Sequence, residues 1–366
     1  MKVLYISRLE GHEWQGPTSS VPMQILHQSK VDDVLWVNLC ASLRKEWKEF
    51  PYYIESDAAM RFSFKDLPTI FRNPDIVVFE GVYEYPFLKI VSELWALNIP
   101  YVVVPRSALT SDAQRKKKVK KWIGNILFFN RFVKRAAAVH YLTLSEKIDS
   151  QKWKTDSFIV PNGIHPMYAV KSSFSKNGRL IWSFVGRIEK YQKGLDLLLD
   201  ACAMVSQELR GGGVEIHLYG PDREGSFSDL SSEIMKYHLT DILFLHDGIF
   251  GDEKEKVLLE SDAFIMTSRF EGLPMGMIEA LAYGLPALAT KGTNLAEEIK
   301  NSDAGWVSGN TAEDIARMLK DAIAERHKYN EKSKNAIELS KTYNWNNIAE
   351  KTHDEYLELI NRDIKK

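Results

Sequence analysis

The segment from Ser268 to Pro286, S-R-F-E-G-L-P-M-G-M-I-E-A-L-A-Y-G-L-P, constrains the chain more than any other. Gly272, Leu273, Pro274 and Gly276 stand between Glu271 and Glu279, and they cannot all belong to one regular helix. Upstream, D-A-F-I-M-T-S from Asp262 to Ser268 reads as a short buried strand ended by small polar residues. Downstream, Met275 to Tyr283 reads as a helix that stops at Gly284, with Pro286 beyond it. The unit is therefore strand, glycine-bearing loop, helix, with Glu271 in the loop and Glu279 in the first or second helical turn. The first amides of such a helix lack internal partners and lie at its positive dipole end, which suits an anion such as a diphosphate. A carboxylate beside them suits sugar hydroxyls, so one short segment could hold both halves of a nucleotide sugar. Glutamates that only complement a helix dipole, and glycines that only make a turn, give the same pattern. The rest of the chain has to decide.

At 366 residues the chain favours two domains over a single core. An apolar fraction of 45% and a charged fraction of 27% fit an ordinary globular protein, and a net charge of -1 gives no overall attraction to nucleic acid. Cys40 and Cys202 are far apart and in apolar contexts, which predicts reduced thiols in a cytosolic compartment. The opening M-K-V-L-Y-I-S reads as a first strand and not a signal peptide, because Arg8 and Glu10 cut the apolar run short. No stretch approaches the ~20 apolar residues of a membrane span. The expectation is a cytoplasmic protein, attached to a surface only peripherally.

In the first half, Val3 to Ser7 is a predicted strand, followed by a loop with Gly11, Gly16 and Pro17 and a helix from about Ser20. A glycine loop after the first strand is where α/β folds place ligands, although the spacing is no dinucleotide fingerprint. Asp75 to Glu80 is a clearer strand, and its exit carries Glu80, Gly81, Tyr83 and Tyr85, polar and aromatic groups of the sort that hold a sugar ring. Tyr101 to Val104 is the next strand, with Arg106 and Ser107 at its exit. Then Arg115, Lys116, Lys117, Lys118, Lys120 and Lys121 run straight into Trp122 and a mixed aliphatic and aromatic stretch. Such a segment suits an anionic membrane surface; it also suits a helix with one solvated basic face and one face packed in the core. No nucleic-acid-binding signature accompanies it. His140, in the strand A-A-V-H-Y-L-T, reads as a core histidine.

The second half opens after a strand and turn ending V-P-N-G-I-H-P, with Lys171 to Gly178 as a plausible linker. Leu180 to Val185 is a strand that exits through Gly186 into a loop from Arg187 to Lys193, followed by an amphipathic helix. At that exit Arg187 can grip a diphosphate as a fork and Lys193 as a point charge. Two more strands end at Gly220 and at Asp247, Gly248 and Ile249, and a helical tail runs from Asn346 to Ile364. No Asp-x-Asp pair occurs, which removes the commonest way a sugar transferase holds a divalent cation.

Together, V-P-N-G-I-H, F-V-G-R-I-E-K-Y-Q-K-G-L-D, the glycine at 220, the 268–286 segment and Tyr343-Asn-Trp345 resemble the retaining glycosyltransferases of family four. The match covers Val160 to about Leu359; the first half is similar only in layout. The resemblance implies the α/β GT-B fold, with two Rossmann-like domains facing across a cleft: 1–165 for the acceptor, 166–345 for the nucleotide sugar, and 346–366 as a helix crossing back to the first domain. It also implies that Glu279 takes the ribose hydroxyls and Glu271 the transferred sugar. Arg187 and Lys193 would hold the diphosphate with the backbone of Gly272, Leu273, Pro274, Met275 and Gly276. Gly248 and Ile249 would lie by the base, and Gly16, Gly186 and Gly220 would line the donor side. Glu80, Gly81, Tyr83, Arg106 and Ser107 would fall on the acceptor side. Two departures stand out: Arg106 and Ser107 occupy the place where many relatives carry a histidine, and Gly16-Pro17 replaces a common Gly-Gly pair.

The function expected is metal-independent, retaining transfer from a nucleoside diphosphate sugar to an acceptor hydroxyl, with no cofactor. The basic segment suggests a lipid-linked glycan at the inner face of the cell membrane, in surface polysaccharide assembly. The alternatives are a non-catalytic nucleotide-sugar-binding or scaffold protein of the same fold and, more remotely, a phosphorylase that uses free phosphate.

Overall fold

The computed structural model describes residues 1–366 except 13–15, 57–61, 116–117, 154, 166, 168, 175–177, 223–224 and 365–366. It gives no side-chain placement for 112, 115, 118, 363 and 364. The chain forms two units, Met1–Gly163 with Trp345–Lys366, and Ile164–Asn344. The helix at the end of the chain is counted with the first unit.

The first unit is built on strands β1 (Lys2–Ser7), β2 (Asp33–Asn38), β3 (Tyr53–Glu55), β4 (Ile76–Glu80), β5 (Tyr101–Val104), β6 (Ala138–Tyr141) and β7 (Ser157–Ile159). Their order is β3-β2-β1-β4-β5-β6-β7, and every pairing is parallel. The central strands are nearly unbroken apolar runs because helices cover both faces of such a sheet. Strand order reverses between β1 and β4, and an open α/β sheet offers its ligand crevice at the carboxyl ends beside that reversal. The exits of β1 and β4 therefore matter most here.

The helix after β1 begins at Gly16, a turn earlier than expected from Ser20, and it tolerates Pro17 because a proline in the first turn gives up no helical hydrogen bond. The tail helix Trp345–Ile364 lies on this same unit, with Ile348, Tyr356 and Leu359 in its core. His140 is fully buried, with Nε2 2.7 Å from the Val160 carbonyl oxygen. Burial pulls its pKa down to about 4, so the imidazole is a neutral core group, as read from the sequence.

The second unit carries β8 (Leu180–Val185), β9 (Val214–Tyr219), β10 (Leu243–His246), β11 (Ala263–Met266), β12 (Ala287–Thr290) and β13 (Gly305–Ser308). Its sheet runs β10-β9-β8-β11-β12-β13, again parallel throughout. Here the order reverses between β8 and β11, the strands that lead into the Arg187 loop and the Glu271 loop. The linker expected at Lys171 is corrected. Lys171 is buried within this unit, its ammonium 3.3 Å from Asp262 and 3.2 Å from the Glu260 carbonyl oxygen, and its amide donates to Tyr283. Among the described residues no helix is long and apolar enough to cross a membrane.

Candidate functional site

The two loops at the β8/β11 reversal are interlocked by backbone and by small side chains. The Arg269 amide donates to the Gln192 carbonyl at 2.9 Å, and the buried Thr267 hydroxyl lies 3.2 and 3.1 Å from the carbonyl oxygens of Lys193 and Gly194. Gly194 adopts φ +60°, and a β-carbon there would lie 2.1 Å from the Thr267 oxygen, so only glycine fits both conformation and space. The Arg269 guanidinium clamps Asp196 through two bonds of 2.7 and 2.8 Å and covers the Tyr191 ring at 4.5 Å. This register brings Lys193 to Glu271: Nζ and Oε1 are 2.6 Å apart, with the side chains 10% and 8% exposed. Ser268 donates its hydroxyl to the same oxygen at 2.5 Å.

The sequence assigned Lys193 to a diphosphate and Glu271 to a sugar as separate tasks; the fold makes them one ion pair. A lysine has three donors, so an anion beside the pair can engage Lys193 while Glu271 keeps the Ser268 bond. Arg187, at the head of the loop, is exposed and forms no ion pair among the described residues.

The helix Met275–Ala282 starts four residues after Glu271. Its first turn is closed by short bonds, Met275 N to the Leu273 oxygen and both Met277 N and Ile278 N to Pro274. Gly276 lets the turn approach β8, since a β-carbon there would meet the Val185 oxygen at 3.0 Å. Glu279 lies in the second turn and pairs with Lys254 from the helix Gly251–Glu260. Lys254 was not singled out from the sequence, because in G-D-E-K-E-K-V-L-L-E nothing distinguishes it from a solvated charge. Asn294 was missed likewise. Its side-chain amide donates to the carbonyls of Glu271 and Gly272, the latter at 3.1 Å, and so fixes the loop.

Gly186 and Gly220 close the β8 and β9 exits against each other, with a β-carbon on Gly220 only 1.6 Å from the Gly186 oxygen. Gly248 and buried Ile249 follow β10, two strands from β8. Beneath them His246 stacks on Tyr219 at 4.3 Å and shares a 2.9 Å hydrogen bond with His217. Among the described residues no group of three His, Cys, Asp or Glu side chains is placed to hold a metal ion.

In the first unit, most of the polar residues expected on an acceptor side are engaged by other groups of the same unit. Glu80, at the β4 exit, has no side-chain exposure and accepts from Arg106 Nε at 2.7 Å. The guanidinium also donates to Ser20 (3.1 Å) and Gln24 (3.3 Å) in the Gly16 helix. Arg106 and Ser107 hold φ +48° and +67°, a left-handed pair that side chains other than glycine rarely adopt. The Ser107 amide is caught by Glu146 at 2.5 Å, and that carboxylate also accepts from the Leu142 amide at 3.0 Å. Burial pushes the Glu146 pKa up while the two amides oppose it. The position where the family resemblance leads to the expectation of a histidine is thus filled by an arginine locked in an ion pair.

Gly81 follows Glu80 at φ +129°. Tyr83 is committed to structure: its hydroxyl accepts from Gln114 (2.7 Å) and donates to Asn125 (3.1 Å), and Asn125 donates to Gln114 (3.0 Å). Lys121 stands over the Tyr83 ring at 5.0 Å and donates to the Ala113 carbonyl at 2.6 Å. Of the basic run, Lys116 and Lys117 lie outside the described residues, Lys118 opens the helix Lys118–Gly124, and Lys120 and Trp122 are exposed.

Two parallel doubly wound sheets, with the candidate site at the reversal of the second, are the architecture of the GT-B glycosyltransferases. The solved structure of Anabaena Alr3699/HepE in complex with UDP and glucose has this fold, with a TM-score of 0.67 at 14% identity, over 97% of this chain and 99% of that one. So does the lipopolysaccharide outer core galactosyltransferase WaaB in its apo form, with a TM-score of 0.67 at 15% identity, over 98% and 99%. Residues 169–339 match the family described as glycosyl transferases group 1. Among curated relatives, the amylovoran biosynthesis glycosyltransferase AmsD of Erwinia amylovora is 38% identical over 125 residues, 34% of this chain and 32% of that protein. The amylovoran biosynthesis glycosyltransferase AmsK of the same organism is 29% identical over 124 residues, 32% and 29% of the two chains. The matched stretches thus span about a third of these relatives.

Proposed function

We propose that the protein transfers a sugar from a nucleoside diphosphate sugar to an acceptor hydroxyl, in the assembly of a cell-surface polysaccharide. The observation that carries this reading is the Lys193–Glu271 pair, held by two interlocked loops in front of the helix Met275–Ala282 at the β8/β11 reversal. A departing diphosphate gathers negative charge as the bond to the sugar breaks. Lys193, held against Glu271, and the positive end of the helix are in place before that charge develops, which is how a site lowers a barrier without reorganising, and Arg187 stands at the head of the same loop. Glu271, paired with Lys193, accepts from a sugar hydroxyl, and Glu279 with Lys254 offers a paired polar edge for a ribose.

In this reading the charge is taken up by protein donors, so no metal is required. The configuration is retained, because no side chain stands as an evident nucleophile for a double displacement and the leaving phosphate can assist attack on the same face. The amylovoran relatives support a polysaccharide context, and the UDP in the HepE complex supports testing uridine nucleotides first. The acceptor is a lipid-linked glycan presented at the inner face of the membrane, where the first unit's basic segment meets anionic lipid.

Saturation-transfer NMR against UDP-, GDP-, ADP- and dTDP-sugars tests the donor assignment. The expected result is selective binding of one donor, weakened at least tenfold by Glu279→Ala, about the worth of one charge-assisted hydrogen bond. Equal binding by the variant would place the ribose elsewhere.

A further inference from the structure

We infer that the first unit docks on an anionic bilayer by inserting an outward-facing apolar stripe of its 118–134 helical segment, and that the neighbouring basic residues play only a supporting part. The inference rests on the membrane-bound acceptor proposed above and names the surface and the mode of contact.

Val119, Trp122, Ile123, Ile126 and Leu127 recur at i, i+3, i+4, i+7 and i+8, the spacing of one helical face. In a globular protein that face normally turns to the core. Here it turns to solvent: the five side chains are 71%, 64%, 46%, 57% and 61% exposed. The cause lies in the middle of the segment. The helix Lys118–Gly124 passes through a wide π turn, Asn125–Phe129, in which the Asn130 amide donates to the Asn125 carbonyl, before continuing as Asn130–Lys134. One extra residue in the turn rotates the phase of everything after it. Phe129, Phe132 and Val133 consequently fill the core, while the stripe before them is left outside.

The π turn is tied to the β4 exit in that position. Asn125, within the π turn, belongs to the closed set of hydrogen bonds with Tyr83 and Gln114, and the Phe129 ring meets Tyr83 at 4.9 Å and Tyr85 at 5.8 Å. Both tyrosines belong to the β4 exit, so the stripe adjoins the strand end expected to face an acceptor.

Charge selects the occupant. From 113 to 145 the sequence contains no Asp or Glu, while Lys120, Arg131, Lys134 and Arg135 are exposed along the segment. A protein partner would need an apolar groove rimmed by acids, whereas an anionic lipid surface supplies acyl chains beneath and phosphates around. A tryptophan near one end of the stripe suits the interfacial layer.

The test is flotation of the full chain with vesicles of phosphatidylcholine alone or mixed with phosphatidylglycerol, at low salt and at about 0.5 M salt, where the Debye length falls to about 4 Å. The wild type is expected to float with the mixed vesicles and to remain bound at high salt. Trp122→Glu with Leu127→Glu should lower partition roughly a hundredfold at both salts, since each buried large side chain accounts for about tenfold. Lys120→Gln with Lys134→Gln should lower it only a few-fold, and only at low salt. All four positions are exposed, so circular dichroism should show every variant folded.

Binding abolished by salt and by the glutamine pair, yet untouched by the glutamate pair, would overturn the insertion. So would a wild-type dimer in sedimentation equilibrium that the glutamate pair dissolves, because a second copy would then cover the stripe. Donor binding by NMR is independent of vesicles, so a wild type that binds donor but fails to float sinks this surface and leaves the transferase reading standing.

Discussion

Lys193→Ala should lower transfer by about 10²–10³-fold, the loss associated with removing one preorganised donor from a developing oxyanion. The effect should fall on kcat more than on KM, because the charge that Lys193 meets grows as the diphosphate leaves. The same substitution leaves the Glu271 carboxylate nearly buried with Ser268 as its remaining partner, and unpairing a buried charge costs about 3–5 kcal/mol. Stability and activity can therefore be separated by adding a second change. Lys193→Ala with Glu271→Gln removes both charges, and should recover most of the lost stability in urea unfolding while activity stays low. A single variant with normal stability and near-normal transfer would show that the pair is surface decoration.

The second large effect is steric. Gly220→Ala places a β-carbon 1.6 Å from the Gly186 carbonyl oxygen, a clash between two backbones that no rotamer relieves. The exits of β8 and β9 must part, which breaks the bond from the Gly186 amide to the Tyr219 oxygen and shifts the Arg187 loop. A cost at or above the ~3 kcal/mol upper range of ordinary overpacking is expected, with a lower urea midpoint and lost donor binding. Gly211→Ala is the control. That glycine ends the helix Ser206–Gly211 and has open space around it, so the substitution should be neutral or stabilising by up to about 1 kcal/mol.

Much of the second unit was legible because its signals are local. The strand before Ser268, the glycine loop and the helix that halts at Gly284 are each announced by residues within a few positions, and the structure sets them at the sheet reversal where ligands gather. What escaped were the side-chain pairs that join distant parts of the chain. Lys254 reaches Glu279 across 25 residues, Asn294 ties down Glu271 across 23, and Arg106 finds Glu80 across 26. No periodicity encodes such pairs.

The first unit shows a different difficulty. Tyr83 and Glu80 carry groups suited to a sugar, and the structure spends them largely on its own loops: Tyr83 on Gln114 and Asn125, Glu80 on Arg106. Composition identified the basic segment, but the π turn at Asn125–Phe129 decides which of its faces is buried, and one extra residue in a turn leaves no mark in the sequence. β3 went unseen because Y-I-E is three residues long and half-exposed throughout.

The account stands or falls on the reaction itself, so the most direct measurement is NMR of the wild-type protein with its bound donor and a lipid-linked acceptor in the presence of EDTA. The prediction is release of one nucleoside diphosphate per sugar transferred, and a product whose anomeric proton keeps the donor's configuration. A product of inverted configuration, or turnover that stops when EDTA is added, would contradict the mechanism. Sugar phosphate formed from free phosphate, with no nucleotide consumed, would contradict the function.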